Sequence, residues 1–244
     1  MALDASLLPV LILLVLVSAA VQGFTGFGFG LVGMALATPL VGAKHANVLW
    51  TVLALGLVLM MWLSLRRHTQ WRLALCLAVG AAVGLPLGLW GLSGGGEDLL
   101  CRVVGGTVLV FAGYSLVNPH FEARDISPFW GVPAGVISGF FSGLTAMGGP
   151  AAVIFLLLNG LGKNAMKATL AAFFGLNLLC KLLMMGGWTN LVGRSHLVWS
   201  ALLYAPLVLG MAGGMYGARF VSTRTMRRVV CALLLVPGIL LLLG

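Results

Sequence analysis

The sequence predicts an all-α polytopic membrane protein of two inverted repeats, each a broken, re-entrant helical hairpin followed by three transmembrane helices. Three observations predict it. Glycine-dense stretches, Gln22-Gly-Phe-Thr-Gly-Phe-Gly-Phe-Gly30 and Ser138-Gly-Phe-Phe-Ser-Gly-Leu-Thr-Ala-Met-Gly-Gly-Pro150, lie near the middle of the two longest charge-free runs. Charge is otherwise confined to connections and segment ends, with Lys181 the exception. A long, short, short, short order of apolar runs occurs twice, as a duplicated unit would give.

Hydrophobic residues make up 61% of the chain and charged ones 8%, with a mean hydropathy of +1.11. These values lie outside the range of soluble domains. The charge-free runs measure 39, 21, 24 and 19 residues, then 37, 24 and 16, with one of 26 interrupted by Lys181. A spanning helix needs about 20 apolar residues.

In chain order, the first run, 5–43, is too long for one crossing, since that much helix would extend about 58 Å, roughly twice the hydrocarbon thickness. Its glycines supply a break, giving arms of about 5–23 and 29–43. Three spans follow, over 45–65, 73–96 and 103–121. The second long run, 126–162, breaks likewise into arms of about 127–141 and 149–162. Spans over 168–193, 195–218 and 229–244 complete the chain. This divides it into a first transmembrane repeat (1–117), a connecting loop (118–127) and a second repeat (128–244). Residue matches support the duplication: Arg102-Val-Val104 returns as Arg228-Val-Val230, Leu109-Val110 as Leu235-Val236, and Lys44 before His45-Ala46 as Lys163 before Asn164-Ala165. Pro86 and Pro206 each stand mid-span with a glycine nearby.

Basic residues orient the spans, because cytoplasmic connections are rich in Lys and Arg. If each long run returns to its own side, Arg66, Arg67, Arg72, Arg124, Lys163, Lys167, Arg219, Arg224, Arg227 and Arg228 share one face. Lys44, Arg102 and Arg194 remain on the other. A single crossing by each run would leave the basic residues nearly balanced. The returning arrangement places both termini outside a plasma (inner) membrane. All seven tryptophans fall near segment ends, where interfacial anchors are expected.

Several classes are excluded. The net charge of +9 flanks apolar runs and forms no basic domain, so no nucleic-acid partner is expected. Cys76, Cys101, Cys180 and Cys231 have no metal-binding spacing, and neither metal nor cofactor is expected. The first run is too long for a cleaved secretory signal and lacks a basic leader. No serine–histidine pairing falls at membrane depth, which argues against an intramembrane hydrolase and for a non-enzyme.

Irregular, glycine-rich backbone at membrane depth is tolerated where it lines a protein-enclosed cavity. Two such tips, one per half, point to a substrate site between repeats. The arm leaving each tip begins a helix, whose first N–H groups and positive dipole end suit an anion. Gly26, Gly28, Gly148 and Gly149 would let an oxyanion approach the backbone. Thr25, Ser142 and Thr145 would donate hydroxyl hydrogen bonds. Pro150 suits the first turn of a helix. Phe24, Phe27, Phe140 and Phe141 are candidates for gates or for ordinary packing. Two roles are open to Lys181: countercharge for the anion, or snorkelling toward an interface. Asn177 lies one turn before it, on the same helical face. No carboxylate or histidine is left at membrane depth for a proton relay, so export driven by the membrane potential is the simplest mechanism.

The segment 22–30 resembles the first-repeat signature of the TauE/SafE family of sulfite exporters and related organo-sulfur anion permeases. Ser142-Gly-Leu-Thr145 with Gly148-Gly-Pro150 resembles the second. Lys163-x-x-x-Lys167-Ala-Thr169, then Asn177 and Lys181, fits the same pattern, and Ala146 stands where a glycine is common. The resemblance implies a transporter of a small sulfur oxyanion, sulfite first, with thiosulfate, an organosulfonate or a carboxylate as alternatives. It implies a substrate site including Gln22, Thr25, Gly26, Phe27, Gly28, Ser142, Thr145, Gly148, Gly149, Pro150, Asn177 and Lys181. Carrier and channel stay open at this point, as do the direction of transport, export or uptake, and the oligomeric state.

Overall fold

The computed structural model describes residues 5–117, 126–187 and 193–218. Residues 118–125 of the connecting loop, Trp188, the span expected over 229–244, and Arg219, Arg224, Arg227 and Arg228 lie outside the described residues. Within them the chain is helical: α1 (Leu8–Thr25), α2 (Phe29–Val41), α3 (Ala43–Leu65), α4 (Trp71–Gly94), α5 (Glu97–Val117), α6 (Gly131–Thr145), α7 (Gly149–Leu158), α8 (Lys163–Gly187) and α9 (Arg194–Gly217). Five of these segments are long and apolar enough to cross a bilayer. This is a multi-pass membrane protein. With 13 and 10 residues, α2 and α7 reach only about 20 and 15 Å, short of a crossing.

Both long runs break where the glycines stand. The first break comprises Gly26, Phe27 and Gly28, with Gly26 (φ 89°) and Gly28 (φ 107°) in left-handed backbone. The second comprises Ala146, Met147 and Gly148, and there Ala146 itself adopts φ 56°.

The packing partners establish the direction of each helix. On α4, a Cβ at Gly80, Gly84 or Gly88 would collide with the backbone of Val132, Val136 or Phe140 on α6. Gly135, Gly139 and Gly143 on α6 face Leu77, Ala81 and Leu85 in return. Small residues permit this close backbone approach, and the two helices run parallel. The α1–α9 pair repeats the scheme, with Gly210 on Leu16 and Gly214 on Ala20. In contrast, α3 and α8 run antiparallel: Asn47, early in α3, meets Lys181, late in α8, whereas Thr169, early in α8, accepts a hydrogen bond from the Gln70 N–H beyond the end of α3. Lys44 at the start of α3 bonds the Ser93 carbonyl at the end of α4, and His45 meets His196 at the start of α9. Thus α1 and α9 run with α3 while α4, α6 and α8 run against it, and the chain reverses direction across each glycine break.

One sequence expectation changes: Trp50 is no interfacial anchor. It is fully buried, stacks on Phe29 with centroids 6.0 Å apart, and fills the space that Gly33 leaves open. Among the described residues, Gly106 and Gly213 face no neighbouring atom.

Candidate functional site

The two breaks meet. A Cβ on Gly30, in the first turn of α2, would collide with the carbonyl of Ala146 in the second break. Around this contact lies a small, partly open cleft. The first tip contributes Gln22 and Gly28 through Leu31, and the second contributes Ser142 and Ala146 through Gly149. Thr51 on α3 and Phe174 and Leu178 on α8 close its sides. The N-terminal turns of α2 and α7 therefore open on one space.

Gln22 braces the first tip. Its Nε2 donates to the Gly26 carbonyl at 3.1 Å, and its Oε1 accepts the Phe29 N–H at 3.0 Å, so one side chain spans the break. The Thr25 hydroxyl is used within the tip: it bonds the Val21 and Phe27 carbonyls and accepts the Phe27 N–H. In the second tip Ser138 donates to the Gly148 carbonyl. Thr145 is fully buried and turns back to the Phe141 carbonyl at 2.9 Å.

Of the twelve residues expected from the sequence, Gln22, Gly28, Ser142, Gly148 and Gly149 line the cleft. Gly26 lies over the Lys167 side chain, and Phe27 reaches toward Gly149 of the opposite tip. Pro150 faces a separate apolar groove between α5, α6 and α7. Asn177 and Lys181 stand behind Ser142. The Ser142 hydroxyl donates to Asn177 Oδ1 at 3.2 Å, and Asn177 Nδ2 is buried with no hydrogen-bond partner among the described residues. Lys181 does not snorkel: it is fully buried, donating to Asn47 Oδ1 at 2.7 Å and to the Ser142 carbonyl.

Three further residues belong to this network. Asn47 Nδ2 donates to the Gly143 and Leu144 carbonyls at the end of α6, at 3.3 and 3.0 Å. Thr51 donates to the Asn47 carbonyl at 2.6 Å. Lys167 Nζ donates to the Gly23 and Phe24 carbonyls at the end of α1, at 3.1 and 2.9 Å. The carbonyls at a helix C-terminus lack intrahelical partners, so each in-going arm is capped by a side chain from a distant helix. The sequence held a signal for Lys167, a basic residue within reach of an apolar run. For Asn47 and Thr51 it held none.

A family model described as "Sulfite exporter TauE/SafE" matches residues 11–241. No curated protein and no solved structure matches the chain.

Proposed function

The chain belongs to the sulfite exporter TauE/SafE family, and from that premise we propose that it carries sulfite out of the cytoplasm through the cleft between its two glycine tips. The family is one of membrane transporters for sulfur anions. The observation that supports this particular path is the contact of Gly30 with Ala146, which brings two helix N-termini onto one space. First-turn N–H groups and the positive ends of two helix dipoles favour a compact oxyanion there. Ser142 adds a hydroxyl at the wall, and Phe174 and Leu178 an apolar face.

The halves read as inverted repeats. Gln22, Thr25, Gly26, Gly28 and Pro86 stand at one constant offset from Ser142, Thr145, Ala146, Gly148 and Pro206. Corresponding helices run in opposite directions, α1 against α6 and α3 against α8, and each in-going arm packs on the second of the other half's three spans. Rocking of one half against the other about the tips would expose the cleft to each side in turn. Arg66, Arg67, Arg72 and Lys163 gather where α3 ends and α8 begins, which supports a cytoplasmic assignment for that end. A dianion leaving a negative interior gains about 4.6 kcal/mol per 100 mV.

The test is sulfite flux in proteoliposomes under an imposed potential, with sulfate, thiosulfate and an organosulfonate as competitors. Saturable, potential-sensitive sulfite movement is the expected result. Flux of a competitor without sulfite flux replaces the solute, non-saturating flux replaces the carrier with a pore, and silence for every anion refutes the path.

A further inference from the structure

A hairpin tip is electrostatically ambiguous. It holds the positive N-terminus of the out-going arm and, a few ångströms away, the negative C-terminus of the in-going one. Seen from the cleft these partial charges largely cancel, so helix dipoles alone give a weak field for an anion. In this chain the negative ends are covered. Lys167 lies on the last carbonyls of α1, and Lys181 on the Ser142 carbonyl in the last turn of α6.

Both lysines come from α8. They are four turns apart on one helical face, with Phe174 midway between them on the same face. Phe174 lines the cleft. The two ammonium groups thus approach the tips from opposite ends of the same helix, and each reaches one hairpin. Among the described residues the acidic ones are Glu97 and Asp98, both in the first turn of α5. No described carboxylate therefore stands beside either lysine. A fully buried ammonium whose partners are neutral amide oxygens is costly unless a mobile anion completes it.

We infer that Lys167 and Lys181 give the two tips one positive charge each, matching the cleft to a doubly charged oxyanion and discriminating against singly charged ones. The inference rests on the reading of the cleft as the anion path. Neither side chain lines the cleft, so both are positioning residues that act through the field and through the carbonyls they cover. Asn47 supplies the contrast. It caps the α6 carbonyls as Lys167 caps those of α1 but carries no charge, and Lys181 adds the charge beside it.

The experiment compares Lys167→Gln, Lys167→Arg and the unaltered full chain in proteoliposomes. The probes are sulfite at a pH where it is the dianion, and methanesulfonate, a monoanion. Glutamine removes the charge and keeps an N–H donor, on a stem one atom shorter, and Lys167→Arg controls for side-chain length with the charge kept. Expected are a preference of the unaltered chain for sulfite of about tenfold, and a loss of sulfite flux in Lys167→Gln of about tenfold. Methanesulfonate flux should change by less than about threefold, and arginine should restore sulfite flux. Equal losses for both anions in Lys167→Gln, or no loss for either, would overturn the inference while leaving the path intact. If Lys167→Gln fails to assemble, the selectivity of the unaltered chain decides, and equal handling of both anions refutes charge matching. An unaltered chain that moves neither anion refutes the path itself, and the inference with it.

Discussion

Asn47 and Lys167 do the same work in opposite halves. Asn47 Nδ2 binds the Gly143 and Leu144 carbonyls, Lys167 Nζ binds those of Gly23 and Phe24, and all three pairs stand at one constant offset in sequence. Each half thereby fastens the other half's in-going arm just below its break. The one departure from this exchange is Lys181, whose counterpart at the same offset is Met61.

Lys181→Met removes the donor to Asn47 Oδ1 and to the Ser142 carbonyl in a fully buried setting. The protein still inserts, because methionine is apolar and of similar length, but sulfite flux falls by tenfold or more, on the order of the 1.4 kcal/mol or more that a lost charge-assisted interaction carries. Flux in proteoliposomes, normalised to inserted protein, measures it.

Asn177 carries a buried Nδ2 without a partner among the described residues. Such a donor costs about 1–3 kcal/mol in the empty protein. Because Asn177→Leu removes that orphan donor but also leaves the Ser142 hydroxyl without its acceptor, thermal stability in detergent is expected to stay within about 1 kcal/mol of the parent, while the KM for sulfite rises several-fold. Lower stability with an unchanged KM would assign Asn177 to packing alone.

Ala146 holds φ 56° where the first tip has Gly26. A left-handed L-residue pays about 1–2 kcal/mol, partly offset by the greater chain entropy glycine has when unfolded. Ala146→Gly should stabilise the protein by about 0.5–1 kcal/mol, read as a higher melting temperature by thermal unfolding in detergent.

Gly84 meets backbone on α6, whereas Gly213 on α9 meets none of the described residues. Gly84→Ala should cost about 1–3 kcal/mol through separation of α4 from α6. Gly213→Ala, matched in chemistry, should remain within about 0.5 kcal/mol of the parent. Thermal unfolding of the two variants side by side tests the packing assignment.

Accessibility labelling tests the orientation. Single cysteines replacing Arg67 or Lys163 should react with a membrane-impermeant reagent only from the cytoplasmic side, and one replacing Lys44 only from outside. Reaction of the Arg67 position from outside would invert the topology.

Charge spacing made the spans legible, and the glycine clusters located both breaks: the out-going arms begin at Phe29 and Gly149, where the sequence put them. What spacing cannot carry is helical phase. Trp50 stands near a segment end yet turns wholly inward, because Gly33 opposite it lacks a side chain. Asn47 and Thr51 lie in a charge-free run like any other, and only the approach of α6 and α8 turns them into a network. Lys167 looked like a flanking charge because a long flexible stem hides how far inward the ammonium reaches.

The cross-packing of α1 on α9 and α6 on α4 has a consequence for biogenesis. At about 5–20 residues per second, α9 leaves the ribosome on the order of ten to forty seconds after α1. Through that interval the face of α1 that Gly210 and Gly214 later meet has no protein surface against it, and the first half waits in lipid with its tip uncapped, since Lys167 too is still unmade. The second half has no such delay, for α4 is in place before α6 emerges. Synthesis is thus asymmetric where the finished architecture is balanced, and an early half held open is the form in which insertion factors and quality-control proteases would encounter this chain.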